Sequence, residues 1–293
     1  MEDTLNLDPA FLRKLERLSL STRRPFAGQM KGEKRSIKQG TGIDFADYRE
    51  YAAGDDLRYV DWNAAARTDR LYLKLFVEEE ELFLALLIDT SKSMGFGNPS
   101  KLKVATQMAA SLGYIGLCNY DRIMVQPYSE VLSSPLPVQR GRTGVPRLLN
   151  YLQKIEAKGS TDFSHTLKRY AASTKSNGLA IVFSDCFDEG WKDGMKSLLA
   201  RGFQIVMVHI LSEEETSPSL RGDLRILDSE TGNVRELSVT PQLLERYTRT
   251  VTAFCSEIEL FCHKYGMDYI RVSSNEPVES LILTTLRRVG LVR

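Results

Sequence analysis

The chain has almost no net charge, few histidines and no long apolar run, and each shortage removes a class of function. Its 293 residues carry 39 Lys and Arg against 38 Asp and Glu, for a formal net charge of +1. So even a balance gives no global attraction to nucleic acid or to an anionic membrane surface. The longest apolar run, Leu82 to Ile88, falls far short of the ~20 residues that a membrane-spanning helix needs. Met1-Glu2-Asp3 is acidic with no apolar region after it, so no secretory signal is expected and the chain reads as cytoplasmic. The three histidines, His165, His209 and His263, have no ligand-like spacing, and His209, ending an apolar run, reads as a hydrogen-bonded core residue. Four cysteines, Cys118, Cys186, Cys255 and Cys262, form no Cys-x-x-Cys pair, and reduced thiols in a cytosolic protein are the simplest account of them.

Several enzyme signatures are missing as well. No Gly-x-x-x-x-Gly-Lys-Ser/Thr loop occurs, so any ATP hydrolysis belongs to a partner. No Gly-x-Ser-x-Gly nucleophile elbow occurs either. A haloacid-dehalogenase-type phosphatase needs a second aspartate two residues after its strand-end aspartate, and here Ser91 follows Asp89 at that distance.

What the chain does have is a hydrophobic content of 42% and a charged content of 26%, enough for a substantial core at this length. From about residue 82 onward, strand-like and helix-like segments alternate. Strands are expected at Leu82–Asp89, Ile123–Tyr128, Leu179–Ser184, Phe203–Leu211 and Tyr269–Val272, with Val131–Val138 and its prolines as an edge strand or loop. Helices are expected at about Ser100–Asn119, Arg147–Glu156, Ser164–Ser173, Lys192–Leu199 and Val278–Val289. Leu224–Asp228 and Val234–Val239 flank the turn residues Ser229 to Asn233 as a hairpin. The helix after it has Thr240 as N-cap, Pro241 as first residue and Gly266 as stop, with Leu244, Tyr247, Val251, Phe254, Ile258, Phe261 and Tyr265 on one stripe.

Short apolar strands between helices predict an α/β fold, a mostly parallel sheet covered on both faces. Residues 1–80 differ and read as an N-terminal extension packed on a main domain of residues 81–293. The extension holds a helix at Pro9–Leu18, a basic loop from Arg23 to Lys38, a charged aromatic segment from Asp44 to Tyr51, a short helix at Ala64–Arg67 and a strand at Leu71–Val77. Asp55, Asp56 and Asp61 interleave with Arg49, Arg58, Arg67 and Arg70, a mixture suited to ion pairs with Trp62 as an apolar anchor.

Ligands of doubly wound sheets bind at the carboxyl ends of the strands. Three loops converge there in expectation. Asp89-Thr90-Ser91-Lys92-Ser93 supplies one carboxylate and two hydroxyls, Gly159-Ser160-Thr161-Asp162 supplies the Thr161 hydroxyl, and Asp185 follows the strand that ends at Ser184. An all-oxygen set with few carboxylates suits a hard cation, Mg²⁺ or else Mn²⁺ or Ca²⁺, and leaves it electrophilic towards a carboxylate from another protein.

The order strand, Asp-x-Ser-x-Ser, helix, threonine loop, strand, aspartate resembles the von Willebrand factor A-like domain with its metal-ion-dependent adhesion site. The stretch upstream is more specific. Gly42 to Tyr51, Gly54 to Trp62, Ala66 to Leu71 and Glu78 to Glu81 look like the signature of a bacterial family, the domain of unknown function numbered fifty-eight, and the match covers essentially the whole chain. That resemblance implies a doubly wound von Willebrand factor A-like fold and metal positions at Asp89, Ser91, Ser93, Thr161 and Asp185. It also implies a cytoplasmic, non-catalytic partner of a MoxR-type AAA+ ATPase, acting in chaperone-like assembly or maturation of client proteins. Family loops around the threonine often carry two glycines, whereas Lys158-Gly159-Ser160 has one. Two alternatives stand beside it. A metal-dependent hydrolase would use Asp89, Asp185 and Asp188, with Asp162 or Asp188 as base, and a nucleic-acid-associated protein would use the basic loop 23–38.

Overall fold

Phe83-Leu84-Ala85-Leu86-Leu87-Ile88 is apolar at every position, the pattern of a strand buried on both faces. In the computed structural model, which describes residues 8–22, 35–39, 44–52, 55–68, 70–79, 82–220, 222–227 and 234–293, it is the central strand of a six-stranded sheet. The elements in chain order are α1 (Pro9–Leu15), β1 (Arg35–Gln39), β2 (Asp44–Glu50), α2 (Trp62–Thr68), β3 (Tyr72–Glu79), β4 (Phe83–Asp89), α3 (Lys101–Cys118), β5 (Arg122–Tyr128) and β6 (Leu136–Arg140). Then come α4 (Val145–Leu152), α5 (Phe163–Ser173), β7 (Leu179–Ser184), α6 (Trp191–Ala200), β8 (Gln204–Leu211), α7 (Glu213–Thr216), β9 (Gly222–Leu227), β10 (Val234–Val239), α8 (Pro241–Lys264), β11 (Asp268–Ser273) and α9 (Val278–Ser280), which runs into π-type turns over Leu281–Leu286.

The sheet order is β11-β8-β7-β4-β5-β6. All neighbours are parallel except β6, which pairs antiparallel with β5 at the edge. Pro137 lies in that edge strand, where a missing N–H costs no central ladder bond. From β4 the chain winds outward through β5 and β6, then returns to β7, β8 and β11 on the other side. This is the doubly wound, von Willebrand factor A-like arrangement, and the crevice where the order reverses lies between β4 and β7.

On one face, Phe83, Ala85 and Leu87 of β4 meet Phe163, Leu167 and Tyr170 of α5, Trp191, Met195 and Leu198 of α6, and Ile258 and Phe261 of α8. On the other, α3 is buried nearly all round rather than along one stripe. Helix α4 presses so close that a Cβ at Gly113 would stand 2.6 Å from Leu148. Tyr114 of α3, itself buried, donates to Glu16, just beyond α1, at 2.8 Å.

Helix α8 starts as its caps predict, with Thr240 Oγ1 accepting from the Leu243 N–H and Gly266 at φ 67°. Of its stripe only Ile258 and Phe261, in the second half, are buried, with Cys255 and Cys262 beside them. A 24-residue helix is ~36 Å long, whereas the strands it covers span ~20–26 Å, so its first turns overhang the sheet. The hairpin is present as β9 and β10, antiparallel from Gly222↔Val239 to Leu227↔Val234. Its turn residues, Ser229 to Asn233, lie outside the described residues.

The chain divides into two compact units, one made of Met1–Arg23 with Leu82–Arg293, the other of Arg24–Glu81. Residues 8–22 therefore group with the larger unit. Leu20 bridges to Val292, and the Ser19 and Arg293 backbones exchange two hydrogen bonds of 2.9 Å. The smaller unit is a three-stranded antiparallel sheet, β1-β3-β2, of which periodicity announces only β3. Within it, Arg49 pairs with Asp55 at 2.8 Å, Arg58 with Asp56 at 2.6 Å and Arg70 with Glu50 at 3.0 Å. Trp62 is not the expected anchor: it is 61% exposed at the first residue of α2, while Asp61 before it is buried. The basic loop falls outside the described residues up to Lys34.

Candidate metal and docking site at the sheet switch point

Asp89 closes β4 at the crevice, and its side chain is fully buried. Its Oδ1 accepts the Ser91 N–H at 2.9 Å and its Oδ2 accepts the Ser184 hydroxyl at 2.7 Å. The first bond curls the backbone so that Ser91 and Ser93, two residues apart, bring their hydroxyls to 2.9 Å of each other. Burial pushes the Asp89 carboxyl up to about 7, and the negative charge of Asp185 pushes the same way against the Ser184 and Ser91 hydrogen bonds. A buried carboxylate whose anionic form is this costly gains from a cation beside it.

The threonine loop is clasped to the aspartate loop through backbone. Lys158 N–H donates to Thr90 O at 2.7 Å, and Lys92 N–H donates to Gly159 O at 2.9 Å. Gly159 takes φ 75°, the turn that a single glycine must supply here. Thr161 follows, part-exposed, and the Asp162 N–H then donates to Ser129 O at 3.1 Å beyond β5. Thus the loops bearing Asp89, Ser91, Ser93 and Thr161 are stitched together at one rim.

Asp185, directly after β7, reaches the same rim but is engaged differently. Its Oδ2 accepts from Lys101 Nζ at 2.7 Å, and its Oδ1 accepts the Phe187 N–H at 3.3 Å. Lys101, fully buried, also donates to Glu215 Oε1. His209 holds the Asp185 backbone, its Nε2–H donating to the carbonyl at 3.0 Å while Nδ1 faces Tyr269 Oη at 2.9 Å. Burial pulls His209 down to about 4, so the ring is neutral, the core role its place in the sequence suggests.

Sequence reasoning missed four contributors. Ser184 and Tyr128 are the last residues of their strands, with nothing in a single sequence to separate them from core. The Tyr128 hydroxyl is buried, has no hydrogen-bond partner among the described residues, and is pushed well above its usual range by burial and then by the Asp89 charge. Lys101 reads as an ordinary first residue of a helix. Glu215 was legible through Ser212-x-x-Glu215, a capping box that the structure forms on both sides.

The hard-oxygen donor set of Asp89, Ser91 and Ser93, beside a buried hydroxyl without a partner, fits a small divalent cation better than a soft one. Among the described residues, no three His, Cys, Asp or Glu side chains cluster as a metal-binding group, so hydroxyls are needed to complete such a set. Asp162 and Asp188 are used locally. Asp162 accepts the His165 N–H at 2.9 Å as the N-cap of α5, and Asp188 accepts the Gly190 N–H at 2.7 Å.

Sheet order, switch-point loops and the aspartate–serine turn together define a von Willebrand factor A-like α/β protein. The chain belongs to the family described as protein of unknown function DUF58, whose pattern it matches over residues 47–255. An uncharacterized protein of Mycobacterium tuberculosis, Rv1480, is 23% identical over 257 residues, covering 86% of this chain and 81% of its own. Among solved structures, the chain is similar to the conserved hypothetical protein BatB of Bacteroides thetaiotaomicron at 14% identity and TM-score 0.43, covering 71% of this chain and 98% of that one. It is also similar to the pilus adhesin SpaC of Lactobacillus rhamnosus GG at 12% identity and TM-score 0.44, covering 88% of this chain and 36% of that one. No helix among the described residues is long and apolar enough to cross a membrane.

Proposed function

We propose that this protein is a non-catalytic docking module that grips an acidic side chain of a partner protein through a divalent cation at Asp89, Ser91 and Ser93, with Thr161 and, through water, Asp185 completing the site. The observation that carries it is the buried Asp89 carboxylate with two hydroxyls gathered beside it at the switch point of the sheet. A bound Mg²⁺ would supply an open coordination position for the partner's carboxylate. Asp89 supplies charge, the two serines supply neutral donors, and Lys101 cancels much of the charge of Asp185, leaving an anion from outside as the natural completion. The local use of Asp162 and Asp188 supports a binding role over hydrolysis, since neither is left poised as a base. The partner is a MoxR-type AAA+ ATPase or a client it matures, as the family resemblance implies, and four unpaired cysteines suit a reducing cytoplasm.

The test is thermal unfolding of the full chain with Mg²⁺, Mn²⁺ or Ca²⁺. At about 100 times its dissociation constant a cation adds roughly 2.7 kcal/mol to stability. Asp89→Ala should erase that increment while far-UV circular dichroism stays that of wild type. Wild type that gains nothing from any of the three ions refutes the metal; retention of a MoxR-type ATPase that survives chelator and Asp89→Ala refutes docking through it.

A further inference from the structure

Lys101 is the fully buried lysine at the crevice, and its place is an unfavourable one twice over. It is the first residue of α3, where the helix dipole disfavours a cation, and its ammonium is out of water. Two carboxylates offset this: Asp185 Oδ2 at 2.7 Å, fully buried, and Glu215 Oε1, mostly buried. The Phe187 ring adds a face 5.1 Å from Nζ, stacked in turn on Phe254.

Every part of that cluster is fixed from outside. The Lys101 N–H donates to Phe96 O at 3.1 Å, Glu215 Oε2 is held by the Ser212 N–H at 2.8 Å, and the Asp185 carbonyl is held by His209. Lys101 therefore cannot swing away cheaply, and Asp185 cannot turn towards the serine hydroxyls without losing its ammonium.

We propose that Lys101 is a built-in counter-ion that sets the affinity of the Asp89 site, holding Asp185 out of direct coordination so that firm divalent binding requires a carboxylate brought by the partner. This rests on the metal reading of Asp89, Ser91 and Ser93. It makes Lys101 a positioning residue: the charge of Asp185 is spent on an internal cation, and a divalent ion meets one uncompensated carboxylate instead of two. The design gives a site that is weak alone and strong in a complex, as reversible docking requires.

The experiment is titration of the full chain with Mn²⁺ alone, followed by calorimetry and by the paramagnetic signal of free ion, in wild type, Lys101→Met and Glu215→Gln. Lys101→Met removes the charge at similar length and frees Asp185, so Mn²⁺ should bind about tenfold tighter or more. Glu215→Gln keeps the capping bond to Ser212 and leaves the ammonium wholly to Asp185, so Mn²⁺ should bind about threefold weaker. A folded Lys101→Met that is merely less stable, with the wild-type Mn²⁺ dissociation constant, overturns the proposal. If that variant does not fold, Glu215→Gln decides: weaker binding supports the proposal, and equal or tighter binding overturns it. No binding by any of the three proteins removes the metal reading and this inference with it, an outcome distinct from wild type that binds and variants that do not differ.

Discussion

Asp89 and Asp185 occupy equivalent places, each at the carboxyl end of a central parallel strand beside the switch point, and the protein treats them in opposite ways. Among the described residues Asp89 meets hydroxyls and an amide and pairs with no basic side chain, so burial makes its charge expensive. Asp185 instead has the Lys101 ammonium at 2.7 Å. Equivalent topology thus sets where a carboxylate sits, while the neighbours supplied by other elements decide whether it meets hydroxyls and an amide or an ammonium.

The widest separation should come from deleting each carboxylate in turn. Asp185→Ala leaves Lys101 buried with Glu215 as its remaining carboxylate, and breaking a buried pair by removing one partner costs about 3–5 kcal/mol. Asp89→Asn, by contrast, keeps the shape and an acceptor while removing a charge that is costly to bury, so at pH 8 without metal it should hold or raise stability. Urea unfolding of both variants checks this. Equal losses would mean that the two aspartates are alike after all.

A second test uses pH to sharpen the same contrast. The folded carboxyl of Asp89 is raised from 3.8 to about 7, so the folded state holds that proton more tightly than the unfolded chain. Its contribution to stability is fully present below pH ~4 and is lost as pH rises to about 7. His209 works in the other direction: its folded value is lowered from 6.5 to about 4, so its neutral burial costs stability as pH falls through that range. In metal-free wild type the two largely cancel between pH ~4 and ~6.5. Asp89→Asn removes one of them, so its stability relative to wild type should climb across that window, by on the order of a few kcal/mol. A constant difference between the two proteins would show that Asp89 titrates as an ordinary carboxylate in the fold.

The sheet was legible because burial on both faces writes itself as unbroken apolar runs. β4, β7 and β8 are buried at every position, and β7 spans the predicted Leu179–Ser184. Asp89, Ser91 and Ser93 were legible for the same reason, being the first polar residues after such a run. The counter-ion was not. Lys101 and Glu215 are 114 residues apart and meet Asp185, 84 residues from Lys101, only because α3 and α7 start at the same rim. No local pattern encodes that meeting. Strands β1 and β2 were missed because Asp44-Phe45-Ala46-Asp47-Tyr48-Arg49-Glu50 mixes charge with aromatics in no clean alternation, and a bulge between Phe45 and Asp47 breaks the register.

The smallest effects expected are in the lesser unit, where the same distinction between buried and exposed charge recurs. Sequence pattern alone treats Arg58 and Asp61 alike, as members of one charged run whose loss should destabilise the fold. The structure separates them. Asp61 is buried, accepts the Tyr48 hydroxyl at 2.7 Å, and caps α2 by accepting the Asn63 and Ala64 N–H groups at 2.9 and 3.2 Å. Asp61→Ala should therefore cost about 1–2 kcal/mol, the usual range for an N-cap with a further hydrogen bond. The Arg58 side chain is 80% exposed and folds back on Asp56 two residues away, a pair that water and salt screen. Arg58→Ala should leave the unfolding midpoint where it is. Paired melts of the two variants check this, and a loss at Arg58 as large as that at Asp61 would erase the distinction between the buried and the exposed charge.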